Sequence, residues 1–171
     1  MSDVPVRVGI VMGSDSDWPK IKSVAAALDE FGVGYEVRVM SAHRTPDVVH
    51  DFVAGAAGRG LKVIIAAAGG AAHLAGVCAS HTTLPVIGIP VATDLAGGLD
   101  SLLATVQMPG DVPVATVGTG SGGARNAGLL AVQILALSDP VLAEKLIRFK
   151  SDLAAKVAEK NEKLQAKIRM E

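Results

Sequence analysis

Apolar positions along the chain follow two alternating rhythms. Short unbroken runs occur at Val8 to Met12, Val63 to Ala67, Val86 to Ile89 and Val114 to Val117. Each is too short for a buried helix and is bounded by turn residues, which predicts strands covered on both faces. Tyr35 to Met40 differs, because Glu36 and Arg38 alternate with Tyr35, Val37 and Val39. That period of two predicts a half-exposed edge strand. Between the strands lie stripes with helical spacing: Ile21, Val24, Ala25 and Leu28; Val49, Phe52, Val53 and Ala56; Leu99, Leu102, Leu103 and Val106; Ala127, Leu130, Ala131 and Ile134. Asp17-Trp18-Pro19 and Thr45-Pro46-Asp47 each place a capping side chain just ahead of a proline suited to a first helical turn.

Five strands alternating with helices predict an α/β fold, a three-layer doubly wound sheet of about five parallel strands. A second strand at the edge favours the flavodoxin-like order 2-1-3-4-5 over the six-stranded dinucleotide order. The chain then ends in a charged helix with a sparse stripe, Leu142, Leu146, Phe149, Leu153, Val157, Leu164 and Ile168. Such a helix spans about 40 Å at 1.5 Å per residue, more than one such domain is wide. Its outer half therefore calls for a neighbouring subunit. No linker, repeat or low-complexity tract interrupts the sequence. The expectation is a single catalytic domain over 1–171, with an α/β core at 6–137 and an inter-subunit helix at 138–171.

Composition narrows the function more than the fold. Half of the 171 residues are hydrophobic and the mean hydropathy is +0.41. No apolar run approaches the roughly 20 residues of a membrane-spanning helix, so the excess points to buried strands and subunit interfaces. A net charge of −1 and 3% aromatic residues offer nucleic acid neither a basic surface nor a stacking platform. Cys78 is the only cysteine, which excludes an internal disulfide and a thiolate metal cluster, and it reads as a small buried hydrophobe. The N-terminus has no basic segment followed by an apolar core, so the expected location is the cytoplasm.

In open α/β sheets, ligands bind beyond the carboxyl ends of the strands. After the first strand comes Gly13-Ser14-Asp15-Ser16-Asp17, with a permissive backbone, hydroxyls and a helix N-terminus that favours an anion. It is neither a Walker loop nor Gly-x-Gly-x-x-Gly. After the second comes Ser41-Ala42-His43-Arg44-Thr45-Pro46, an imidazole beside a permanent cation that can grip phosphate. After the third comes Ala68-Gly69-Gly70-Ala71-Ala72-His73, whose small side chains leave amides bare for a carboxylate. Thr93 to Gly98 and Gly118 to Gly123 have the flexibility of lids and equally that of plain connectors. His50 and His81 are expected on the surface, outside any ligand cluster, and no metal site is predicted. Three loops thus describe an anion pocket with one good general acid–base, without naming a reaction. A carrier of a phosphorylated ligand stays open; a nicotinamide oxidoreductase would need the missing glycine fingerprint.

In order and spacing, Met12-Gly13-Ser14-Asp15-Ser16-Asp17-Trp18, Ser41-Ala42-His43-Arg44-Thr45-Pro46 and Ala68-Gly69-Gly70-Ala71-Ala72-His73-Leu74 resemble the class I N5-carboxyaminoimidazole ribonucleotide mutases of purine biosynthesis, the PurE family. Leu99-Asp100-Ser101-Leu102, Val106-Gln107-Met108-Pro109 and Asn126-Ala127 extend the likeness, which runs from about Val6 to about Leu137. The resemblance implies an isomerase that moves a carboxylate from N5 to C4 of an aminoimidazole ribonucleotide without ATP, metal or organic cofactor. It implies that Ser14, Asp17 and Arg44, helped by Ser16 and Ser41, bind the ribose phosphate portion. His43 would be the general acid–base, and Gly69, Gly70, Ala71 and His73 would line a carboxylate or carbon dioxide pocket. It further implies a homo-octamer whose sites are shared between subunits, with the C-terminal helix reaching across them. Class II relatives typically carry Lys in place of Arg44 and lack the Gly-Gly-Ala-Ala-His loop. Ala75 departs from the usual proline, and no function is assigned to Gly118–Gly123.

Overall fold

The computed structural model describes residues 4–170. The chain divides between Ile134 and Leu135 into two compact units. In the first, five parallel strands are β1 (Val6–Met12), β2 (Gly34–Val39), β3 (Val63–Ala68), β4 (Val86–Pro90) and β5 (Ala115–Thr116), in the order β2-β1-β3-β4-β5. This is the expected flavodoxin-like order, with the alternating strand at one edge. Interior pairing is regular, with Val8, Ile10 and Met12 opposite Val63, Ile65 and Ala67. These residues are 0–1% exposed, as strands covered on both faces require.

The helices of this unit are α1 (Trp18–Ile21), α2 (Ser23–Phe31), α3 (Pro46–Ala54), α4 (Leu74–Ser80), α5 (Leu99–Val106) and all but the last two residues of α6 (Gly120–Ala136). On one face Val49, Val53 and Ala56 of the α3 segment and Leu74, Ala75 and Cys78 of α4 pack on Val11, Ile64 and Ala66. On the other, α2 and α6 approach closely at Gly128, where a Cβ would lie 2.7 Å from the Val24 carbonyl oxygen. α4 has no clear sequence stripe because it is short and built from small residues.

Several local expectations are corrected. The first stripe is split at Lys22 into α1 and α2. Asp17 caps nothing: Ser14 accepts from Ser16 N–H to start a 3-10 turn at Asp15–Asp17, which runs into α1. Thr45 also fails to cap its helix, because its Oγ1 turns back to accept from Ser41 N–H at 2.9 Å. β5 shrinks to two residues, following Pro113, which has no N–H to donate. On β2, Val37 and Val39 are exposed rather than core-facing.

The largest reversal is α5. Ser101 and Thr105 are the buried residues, 0% and 2% exposed, whereas Leu99, Leu103 and Val106 are each 47% exposed. The cause is the strand beneath: a Cβ on Gly88 of β4 would meet Thr105 Cγ2 at 2.4 Å. The helix lies too close to the sheet for leucine, and its small polar residues face inward.

In the second unit, α7 (Pro140–Ile168) is 29 residues long. Asp139 accepts from Leu142 N–H at 3.2 Å and Pro140 occupies the first turn, a well-capped start. Glu144–Arg148 and Glu159–Lys163 pairs brace its surface at i, i+4. Leu153, Val157, Leu164 and Ile168 are exposed. Among the described residues no helix is long and apolar enough to cross a membrane.

Candidate functional site

The first three strand-end loops converge on a cleft of about 440 Å³. The first loop contributes Gly13, Ser14 and Asp17, the second Ser41, Ala42, His43 and Arg44, and the third Ala68, Gly69 and Ala71, with Leu74 beyond it also lining the cleft. Parallel strands β1, β2 and β3 are neighbours and end together, so residues about thirty apart in sequence meet.

Ser41 organises the second loop. Its Oγ accepts from His43 N–H at 3.3 Å, from Arg44 N–H at 3.2 Å and from Arg44 Nε at 3.4 Å. Arg44 Nη2 donates to the Gly13 carbonyl oxygen at 2.7 Å, tying the second loop to the first. Two of its five N–H donors are thus used to fix the guanidinium, and three remain for an anion. Ser14 lines the cleft; Ser16 stands behind it, their hydroxyls 2.8 Å apart.

His43 and His73 are joined directly, Nε2 to Nδ1 at 2.8 Å, with ring planes 78° apart. His73 sits at the N-cap of α4 but makes no side-chain capping bond there. Its ring serves His43 instead. The sequence singled out both residues and not their contact. Asp17 is half-buried at the cleft wall. Burial raises its carboxyl above the ordinary value, opposed by the Lys20 ammonium.

The third loop is less bare than its composition suggests. Ala72 N–H bonds the Gly70 carbonyl at 2.8 Å and His73 N–H that of Ala71 at 2.9 Å. Gly70, in the left-handed region at φ +66°, donates its N–H to Ser101 Oγ at 2.9 Å. The amides of Gly69 and Ala71, both lining the cleft, have no protein acceptor among the described residues. Two amides, not four, are available to a carboxylate.

Elsewhere, Cys78 is fully buried and its thiol is pushed up to about 12, which leaves it inert as a nucleophile. His50 and His81 are both exposed, as expected, and stack edge to face with centroids 4.8 Å apart; His50 Nδ1 lies 3.1 Å from Asp51 Oδ1. Among the described residues no three of His, Cys, Asp or Glu gather as metal ligands. Ser101, Asp100 and Thr93, which support the third loop, carried no role in the sequence reading.

Residues 7–156 match the family model described as AIR carboxylase. The N5-carboxyaminoimidazole ribonucleotide mutase of Mycobacterium tuberculosis is 57% identical over 159 residues, covering 93% of this chain and 90% of that protein. Those of Thermotoga maritima and Bacillus subtilis are 53% and 54% identical, each over 92–93% of this chain and 92% and 97% of theirs. The crystal structure of Treponema denticola PurE superposes with a TM-score of 0.82 at 30% identity, over 92% of this chain and 97% of that one. By sequence and by fold, the chain belongs to the AIR carboxylase family.

Proposed function

We propose that the cleft converts N5-carboxyaminoimidazole ribonucleotide to 4-carboxy-5-aminoimidazole ribonucleotide, moving the carboxylate from N5 to C4 in purine (IMP) biosynthesis. The chain is an N5-carboxyaminoimidazole ribonucleotide mutase, an isomerase, as its relatives at 52–57% identity are named. The observation that carries the site assignment is one cleft lined by an imidazole, His43, a fixed guanidinium and two unpaired amides.

Arg44 pairs with the substrate phosphate through its remaining donors, with the Ser14 and Ser41 hydroxyls beside it and Ser16 steadying Ser14. Asp17 accepts from ribose hydroxyls. With Nε2 held by His73, His43 Nδ1 is the nitrogen left for proton exchange. Protonated His43 gives its proton to N5 as the N–C bond breaks, releasing carbon dioxide and neutral enamine. Carbon dioxide stays against the free amides of Gly69 and Ala71, on either side of Gly70, while C4 attacks it, and His43 then takes the C4 proton. The proton count closes on the starting state. One residue serves both steps because an imidazole nitrogen can donate a proton in one step and accept one in the next.

The working form is a homo-octamer in the cytoplasm, with sites shared between subunits. Support comes from two apolar stripes open on the isolated chain, Leu99, Leu103 and Val106 on α5 and Leu153, Val157, Leu164 and Ile168 on α7. The decisive assay supplies the carboxyamino substrate together with labelled bicarbonate. Turnover with slow label uptake is expected; full label at the rate of turnover would mean carboxylation by free carbon dioxide instead, and no turnover would defeat the reading.

A further inference from the structure

Behind the third loop lies a short chain of polar contacts that none of the substrate-facing residues requires. Ser101 is completely buried in a helix face that otherwise meets the sheet, and its Oγ accepts the Gly70 N–H at 2.9 Å. The same hydroxyl lies 3.5 Å from Asp100 Oδ1, which accepts from Thr93 Oγ1 at 2.6 Å. The Thr93 hydroxyl bond holds the Asp100 carboxyl below its ordinary value, so it stays ionised. Thr105 Oγ1 donates to the Ser101 carbonyl at 2.7 Å, fixing the residue on its own helix.

We infer that Ser101 is a positioning residue for carboxylate transfer: it pins Gly70 in its left-handed turn and so aims the free amides of Gly69 and Ala71 at the carbon dioxide. This rests on the carboxylate-transfer reading of the cleft. Gly70 accepts the positive φ without penalty, but glycine alone does not choose that conformation. The bond from Ser101 chooses it. A serine hydroxyl suits the place because it accepts the N–H while its own proton points towards the ionised Asp100. Asp100 and Thr93 are the outer links, and they connect the end of β4 to the end of β3.

The consequence is a specific fault when the link is cut. Ser14, Asp17 and Arg44 do not touch this network, so substrate binding through phosphate and ribose should survive. The amides should drift, and carbon dioxide should escape before C4 attacks it. The released products are then aminoimidazole ribonucleotide and carbon dioxide, with His43 having delivered its proton to N5.

The test uses substrate labelled in the carboxyl group and follows product and released carbon dioxide together, above the uncatalysed background. For Ser101→Ala, transfer should fall by about 10²-fold, the size expected of a misplacement near 1 Å. KM should stay within about three-fold, and carbon dioxide release per product formed should rise at least about ten-fold, since the pocket rather than phosphate binding is altered. Ser101→Cys, which keeps a weak acceptor, should recover part of the loss. Thr93→Val keeps shape and removes only the outer hydroxyl; it should raise the leak by a smaller factor and decides the matter if Ser101→Ala does not fold. An unchanged leak ratio in the folded variants overturns the inference. His43→Asn is run in parallel. If it retains turnover, the reading of the cleft is at fault rather than the role of Ser101.

Discussion

At the scale of residues, the proposed roles separate binding from proton transfer. Arg44→Ala should raise KM about ten-fold or more, since charge-assisted bonds contribute roughly 1.5–3 kcal/mol in ground and transition states alike. His43→Asn should instead lower kcat by about 10²–10⁴ with substrate affinity little changed. Steady-state kinetics and direct binding on the same preparations check both, and near-normal turnover of His43→Asn would remove His43 from the mechanism. Asp17 gives a pH prediction. Its carboxyl is raised in the fold chiefly by burial, so the folded chain favours the protonated form. The stability this contributes is full below the ordinary carboxylate range and is lost as pH rises through the folded value. Asp17→Asn should therefore melt slightly higher at neutral pH, by no more than about 2 °C for a solvent-screened group, while binding substrate more weakly. The gain should vanish on acidification; a gain that persists at low pH would refute the origin in burial.

At the scale of elements, the strands were legible and the facing of one helix was not. Val8–Met12 and Val63–Ala67 announce themselves because a strand covered on both faces has no polar position to spare. The loops that build the cleft were legible for the same reason, since they follow those strands. α5 misled because hydrophobicity usually marks the core-facing side, whereas here Gly88 draws the helix so near that only Ser101 and Thr105 fit. The His43–His73 bond was illegible because spacing within a loop says nothing about the angle between loops. A similar close approach governs α2 and α6. At Gly128 a methyl would stand 2.7 Å from the Val24 carbonyl oxygen and 2.8 Å from Ala27 Cβ. Gly128→Ala gains helix propensity of about 1 kcal/mol. Overpacking against a backbone atom that cannot swing aside costs about 1–3 kcal/mol. The second effect should win, and thermal unfolding should show a midpoint lower by several degrees.

At the scale of the whole molecule, the proposed assembly answers what the single chain leaves open. Removing the chain beyond Lys150 deletes the stripe Leu153, Val157, Leu164 and Ile168 and should cause dissociation or a large drop in melting temperature. Sedimentation of the full chain as a stable monomer would end the octameric account. The outward leucines of α5 carry this further. Leu99, Leu103 and Val106 lie on the opposite side of the helix from Ser101, so turning them inward takes roughly half a revolution and carries Ser101 off Gly70. A solitary chain therefore cannot hide that stripe by rolling the helix without breaking the bond that holds Gly70 in its third loop. Its remedy for exposed leucine must come from outside. Yet the two sides of α5 remain separately editable. Leu99→Lys with Leu103→Lys leaves Ser101 on Gly70 and should yield a dispersed chain whose third loop is intact. If sites are shared as proposed, whatever activity that dispersed chain lacks is the share supplied by its neighbours.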